Sequence, residues 1–254
     1  RSRYDVASKA IIETLLKLEP GLSTSSGVND GLIIKIAPDS AGQAGDVRDV
    51  IFTRPNSTPA WETGISAKNN HDAVKHSRLS PSIDFGSEWL NLPCSERYFE
   101  EIGVPFAFIS DILQVDPKAK WRNLGQAKET QVYVPVLEAF RDELKRLAAN
   151  DPNVPEKLLS YLIGRHPFYK VIKDDRNKCV AVKAFNLSNG LNRKVNGVAP
   201  SHSADRIGFP SRIIEFEFVN QSATTLLMIL DHGWQISFRI HNASSDLEAS
   251  LKFD

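Results

Sequence analysis

Two short apolar runs set close together constrain this chain more than any other feature. Residues 45–54 read GDVRDVIFTR and residues 61–68 read WETGISAK, with Pro55, Asn56, Ser57 and Pro59 between them. Pro, Asn and Ser at that density mark a turn, so Arg48–Thr53 and Glu62–Lys68 are expected as neighbouring strands. Side chains alternate along a strand, which puts Glu62, Gly64, Ser66 and Lys68 on one face of the second. A strand pair that opens on Asp46 and Asp49 and closes on a lysine has a polar end that needs water or a ligand.

Composition bounds the class. The chain has 254 residues, 41% hydrophobic and 24% charged, as expected of a soluble globular protein. Lys+Arg and Asp+Glu stand at 31 each. That balance speaks against a non-specific nucleic-acid coater, which needs a basic excess. An enzyme with acids at a metal site and bases along a cleft would still come out near neutral. Cys94 and Cys179 lie far apart, with no CxxC or Cys/His spacing. Neither a zinc site nor a disulfide framework is expected, and a reducing cytoplasm fits. No apolar run reaches membrane-spanning length, so no membrane partner is expected.

The periodicity gives an ordered series of elements. Val6–Leu18 reads as an amphipathic helix and Gly31–Ala37 as a strand ahead of the pair above. His71–Ser77 reads as a short helix, and Trp89 as a core anchor. The middle reads as helical: Ser95–Ile102, Pro105–Leu113, Lys118–Leu124, Gln131–Ala149 with Pro135 delaying or kinking it, and Pro155–Ile163. From Phe168 the period becomes two. Tyr169–Lys173 and Lys178–Phe185 form a hairpin, and Ser211–Val219, Thr224–Leu230 and Trp234–His241 follow as strands. Helix, strands, helices, strands is a mixed α/β (α+β) order. One elaborated domain over 1–254 is expected, with a core over 1–90, a helical middle over 95–164 and C-terminal strands over 168–254.

The strand pair carries the chemistry. Hydrolysing a phosphodiester takes an activated water, charge neutralisation on the phosphate and help for the leaving oxygen. Magnesium prefers a few carboxylates plus water, and a lysine nearby offsets the developing charge. Asp49, just before Val50-Ile51-Phe52, is the first candidate metal ligand, with Asp46 behind it; Lys68 is the candidate catalytic lysine. An acid at a strand start is more often a turn or cap residue, and a strand-end lysine is more often solvated, so the pattern counts as a whole or not at all. The common nuclease pattern PD-(D/E)xK has an acid two residues before its lysine, and here that place holds Ser66. Glu62 shares the face but lies about 13 Å from Ser66 at strand rise. Asp46, Asp72, and Glu13 on the first helix are the other carboxylates to weigh. Past the lysine, Asn70, His71, Lys75, His76 and Arg78 gather neutral donors and bases as candidate DNA contacts.

Three stretches together resemble a known family: GISAKNNHDAVKHSRLS; FYKVIK with AFNLSNGLN; and GWQISFRIHNASSDLEASLKFD. They are similar to the HaeIII type of type II restriction endonucleases and span most of the chain from about Asp46. The resemblance implies a restriction-endonuclease-like core, with a central mixed sheet flanked by helices and a β-rich C-terminal part. It also implies a Mg2+-dependent endonuclease cutting double-stranded DNA at GGCC, with a cognate DNA methyltransferase as system partner in a bacterial or archaeal cytoplasm. A palindromic target suggests a homodimer, since site symmetry mirrors protein symmetry.

The last strands agree with a DNA reader. In Trp234–His241, Trp234, Ile236, Phe238 and Ile240 fall on one face, and Gln235, Ser237, Arg239 and His241 on the other. Arginine reads guanine bidentately in the major groove, so Arg239, Arg212, Arg206 and Arg193 are candidates, with His241 and Asn242 beside the first. Asp231-His232-Gly233 is expected as a hairpin turn. Two further readings stand beside the nuclease: an inactive, DNA-binding member of the same fold, suggested by Ser66, and a protein-interaction domain, which a neutral net charge leaves open.

Overall fold

A computed structural model describes residues 2–23, 30–38, 45–70, 75, 77–220 and 222–253. The chain divides into two compact units. The first comprises Arg1–Asp72 and Ile163–Gly208, the second Ala73–Leu162 and Phe209–Asp254.

The first unit is built on a six-stranded sheet. Its strands are β1 (Ile33–Ile36), β2 (Val50–Arg54), β3 (Trp61–Asn69), β5 (Phe168–Asp174), β6 (Cys179–Leu187) and β7 (Arg206–Ile207), ordered β1-β2-β3-β5-β6-β7. β2 and β3 pair antiparallel, as the turn residues between them require. β3 and β5 pair in parallel, so the sheet is mixed. Helix α1 (Arg3–Leu18) starts at Ser2, whose side chain accepts from the Asp5 N–H while Asp5 accepts from the Ser2 N–H. That reciprocal cap satisfies two otherwise orphaned donors. Leu15 buries its side chain with Ile65, Tyr169, Val171 and Leu191, and Ile11, Leu18, Val50 and Phe52 pack around them. α1 therefore covers the sheet face that carries Ile65. The opposite face carries Ser66 and Lys68.

One polar hub ties this unit together. Glu19, just past α1, is fully buried. It accepts from the Tyr169 hydroxyl at 2.7 Å, the Asn192 N–H at 2.6 Å and the Trp61 indole N–H at 2.9 Å. Asn192 in turn donates to the carbonyls of Leu18 and His202. The polar loop after β6 is thus fixed to the end of α1.

The second unit places helices against a five-stranded sheet of order β4-β11-β10-β9-β8. Its strands are β4 (Arg78–Leu79), β8 (Ile213–Phe218), β9 (Thr225–Leu230), β10 (Gln235–Asn242) and β11 (Leu251–Phe253). Phe140 of helix α3 (Val134–Asn150) is the centre of an aromatic core, with ring centroids 4.9 Å from Phe85, 5.3 Å from Phe238 and 5.0 Å from Phe253. Trp89 joins this core at 5.7 Å from Phe140, as its expected anchor role requires.

The helical boundaries differ from expectation in three places. Ser95–Ile102 and Pro105–Leu113 form one helix, α2 (Glu96–Val115), with Pro105 inside it. Proline there forfeits a backbone bond, but Ile102, Pro105, Phe106 and Ile109 are all buried, and that burial outweighs the break. Lys118–Leu124 contracts to a single 3₁₀ turn, Trp121–Leu124. Gln131–Ala149 is helical, but Pro135 does not delay it: a π-helical turn, Lys128–Tyr133, runs directly into α3, and Pro135 stands near the start of α3. α4 (Val154–Ile163) follows as expected. The C-terminal strands part company: β5, β6 and β7 belong to the first sheet, β8 to β11 to the second.

Candidate active site on the first sheet

Asp49 stands one residue ahead of β2, where regular pairing stops. Its N–H donates to the Ile65 carbonyl at 2.7 Å, and its Oδ2 accepts from the Ala67 N–H at 2.6 Å. These two bonds bracket Ser66. A carboxylate that would otherwise swing on an exposed loop is thereby fixed against the neighbouring strand. Asp49 is exposed, and its Oδ1 takes no hydrogen bond among the described residues. Lys68, one residue past the bond to Ala67, is half-buried, and its ammonium has no partner among the described residues.

Asp46 and Glu62 sit differently. Arg48, 6% exposed, donates to both Asp46 oxygens, at 2.8 Å from Nε and 2.7 Å from Nη2. Its Nη1 donates to Glu62 at 2.7 Å. Partial burial works to raise the Asp46 pKa, but the bonds from Arg48 outweigh it and hold the carboxyl below its usual range. Arg48 thus holds Asp46 bidentately and Glu62 by a single bond, one cation between two acids. Gly64 makes room for it, on the face it shares with Glu62, Ser66 and Lys68. The Asp46 loop is seated from below as well: Gly164, at φ +75°, lies so close that a Cβ there would stand 2.2 Å from the Gly45 carbonyl oxygen.

Glu13 lies on the exposed side of α1, 3.9 Å from Lys9 one turn away, on a helix that covers the other sheet face. Among the described residues, no three His, Cys, Asp or Glu side chains converge in a way that could hold a metal. Asp72, His71 and His76 lie outside the described residues, as does most of the short helix expected there. Magnesium is held by one or two carboxylates together with substrate phosphate and water, so Asp49 with its open oxygen suits one ligand position.

The candidate DNA contacts divide between the units. In the first, the Asn70 side chain donates to the Asp175 carboxylate at 3.0 Å and accepts from the Asp175 N–H at 2.7 Å, tying the end of β3 to the turn after β5. Arg193 is exposed on the loop after β6. In the second, Lys75 lies 3.6 Å above the Tyr161 ring and donates to the Tyr161 carbonyl, and burial lowers its pKa. Arg78 donates to Ser250. Arg212 and Arg239 are exposed, and Phe238 and Ile240 are buried, as the alternation predicts. Asn242 accepts from Lys128 at 2.8 Å and from Tyr133 at 3.2 Å, and the His241 ring pairs with the Asn242 carbonyl, so both are held by their own unit. Asp231-His232-Gly233 makes the expected turn.

Two residues of this region escaped sequence reasoning. Arg48 sits inside GDVRDV, and a lone arginine between acids carries no signal of what it will bury. Lys170 sits inside FYKVIK, where β5 is buried on both faces from Phe168 to Ile172. A lysine in such a run is the signal that could have found it.

A mixed sheet with an acid at one strand mouth and a lysine on the next strand, backed by a helix, is the core of a restriction-endonuclease-like fold. Proteins of this class hydrolyse DNA phosphodiesters. The comparisons narrow the class. The chain matches the model of the HaeIII restriction endonuclease family over residues 1–254, and it belongs to that family. It is 40% identical over 255 residues to the type II restriction enzyme HaeIII of Haemophilus aegyptius, across all of this chain and 78% of that enzyme. No solved structure matches it. The protein is therefore a type II restriction endonuclease, a site-specific deoxyribonuclease.

Proposed function

We propose that the protein is a Mg2+-dependent endonuclease that cuts double-stranded DNA at GGCC. The observation that carries the metal site is the bracketing of Ser66 by Asp49. It fixes one carboxylate, with an open oxygen, beside the strand end that bears Lys68. Bound there, magnesium would supply a more acidic water and charge neutralisation on the phosphate. Asp49 orients the ligand side, and the Lys68 ammonium offsets charge on the phosphoryl oxygens. Water oxygen bonds to phosphorus as the bond to the leaving oxygen breaks; the water gives up one proton and the leaving oxygen takes one up. The GGCC target rests on the family resemblance, and Arg193, Arg206, Arg212 and Arg239 are exposed arginines suited to guanine. A palindromic target calls for a homodimer, each copy cutting one strand. A DNA methyltransferase protecting the same sequence completes the system in the cytoplasm of a bacterium or archaeon.

The test is digestion of a sequenced plasmid in magnesium and in chelator, with the ends sequenced. Discrete magnesium-dependent cuts at GGCC support the reading. Cuts at another palindrome overturn the target but not the chemistry. Ser66 favours one second reading, a binder that does not cut. Salt-sensitive, site-specific binding with no cutting in magnesium would establish it.

A further inference from the structure

The β5–β6 hairpin leaves the first sheet at the end that carries Lys68. Lys68 of β3 stands opposite Ile172 of β5, and the pairing of β5 with β6 ends two residues further on, at Asp174 and Cys179. The turn between them, Asp175-Arg176-Asn177-Lys178, thus stands about 10 Å beyond Lys68 at about 3.3 Å per residue. Loop tips ordinarily open with little cost, but this one is braced. The Asn70 N–H donates to the Lys173 carbonyl at 2.8 Å, and the Asn70 side chain holds Asp175 by two bonds. Asn177 donates to Asp174 at 2.9 Å from its N–H and at 2.7 Å from its side chain. Lys173 pairs with Asp175 at 2.5 Å. Both acids of the turn are engaged from within. Arg176 and Lys178 are exposed, and their head groups make no hydrogen bond or ion pair among the described residues.

The backbone of the turn adds a second observation. Lys178 lies in the left-handed region, at φ 52°. Glycine or asparagine takes that conformation with least strain, and hairpin turns that need it usually carry one of them. A lysine kept there against the strain points to a use for its ammonium. Charge placement agrees. The chain as a whole is neutral, yet Arg176–Leu187 contains Arg176, Lys178 and Lys183 and no Asp or Glu. A local excess of one sign concentrates the field that an anion meets.

We propose that this turn is a DNA anchor, in which Arg176 and Lys178 bind backbone phosphates of the duplex a few steps from the one that is cut. This inference rests on the nuclease reading of Asp49 and Lys68. A duplex with its scissile phosphate at those two residues, running past the turn, presents another phosphate to it about three steps away, at about 3.4 Å of axis per step. Contacts of that kind set register and affinity without reading sequence. Asn70 lies two residues past Lys68, so its bonds to Asp175 hold the anchor at a fixed spacing from the cutting residues.

The experiment uses the full chain with Arg176→Gln, with Lys178→Gly and with both. Affinity is measured across a salt series, with Ca2+ in place of Mg2+, for a GGCC duplex and for one of equal length lacking GGCC; thermal melting is read alongside. Each lost phosphate contact lowers the slope of log affinity against log salt by about 0.9, so the double variant is expected to lose about 1.8 and to bind both duplexes about 10-fold or more weaker at about 0.1 M salt. Lys178→Gly should melt no lower than wild type, because glycine relieves the left-handed turn. Weaker binding without weaker folding is the result that a merely structural lysine would not give. An unchanged slope in the double variant overturns the proposal. So does a loss of affinity confined to the GGCC duplex, which would make the turn a reader of bases. If Lys178→Gly does not fold, Arg176→Gln decides alone, through a slope change of about 0.9. Failure of the nuclease reading looks different: the wild type leaves DNA intact in Mg2+, or Asp49→Asn cuts as well as wild type, whereas the salt slopes are read without any cutting.

Discussion

The aliphatic stem of Arg48 lies on the backbone of Gly64, where an added Cβ would stand 2.1 Å from Arg48 Cδ and 2.7 Å from Cγ. Glycine within a strand commonly marks such a close approach. Gly64→Ala must push Arg48 off the sheet and loosen its hold on Asp46 and Glu62. The expected loss is about 1–3 kcal/mol, the usual cost of overpacking. Urea denaturation would read it as a lower midpoint at unchanged slope. An unchanged midpoint would mean that the arginine moves aside freely.

Asp49 and Lys68 separate binding from chemistry. Asp49→Asn keeps an oxygen for the Ala67 N–H but loses the charge for a metal, and Lys68→Met loses the ammonium. Each is expected to lower single-turnover cleavage by about 100-fold or more. DNA affinity measured with Ca2+ should change far less in Lys68→Met than its rate does. A matching drop in both would recast Lys68 as a phosphate anchor.

Ser66→Glu writes the acid of the common nuclease pattern into this chain. Residue 66 is almost wholly buried, so the longer side chain has to displace its surroundings at a cost of about 1–3 kcal/mol. The variant is expected to melt lower than wild type and to cut no faster. Faster cutting would show that the serine is a defect.

Asp231 gives a pH signature in the second unit. The Ser211 hydroxyl donates to it at 2.6 Å, and the N–H groups of Ser211 and Arg212 also donate, holding its pKa down from 3.8 to about 2. A carboxylate with a depressed folded pKa contributes stability above its unfolded pKa and loses it as pH falls through the folded value. The window therefore runs from about pH 3.8 down to about pH 2. Asp231→Asn should melt lower than wild type at neutral pH, and the difference should shrink across that window. A constant difference would assign the effect to packing rather than to charge.

Local signals in the sequence carried the β2–β3 pair, helix α1, the turn at Asp231-His232-Gly233 and the two faces of β10, because each depends on residues within a few positions. The placement of Asp49 just ahead of β2 and of Lys68 on β3 was legible for the same reason. What was hidden depends on partners far along the chain. Nothing near Ser66 announces that β5 will lie beside it, so the pairing of Ser66 with Lys170 leaves no local trace. The pairing of Arg78–Leu79 with Leu251–Phe253 is equally silent. Arg48 was concealed differently: arginine between two acids reads as surface, and only the absent side chain of Gly64 shows where it went. Pro105 misled because a breaker in a periodic run is normally believed, and here a buried face overrides it.

The parallel pairing of β3 with β5 also orders events in time. β3 ends at Asn69 and β5 begins at Phe168, and the second unit's helices are encoded between them. Closing so long a loop is slow compared with forming a local hairpin. A nascent chain has Asp49 and Lys68 long before it has the strand that buries Ser66. The first sheet therefore cannot join β3 to β5 until the helices encoded between them have been made, while β8 to β11 are still to come.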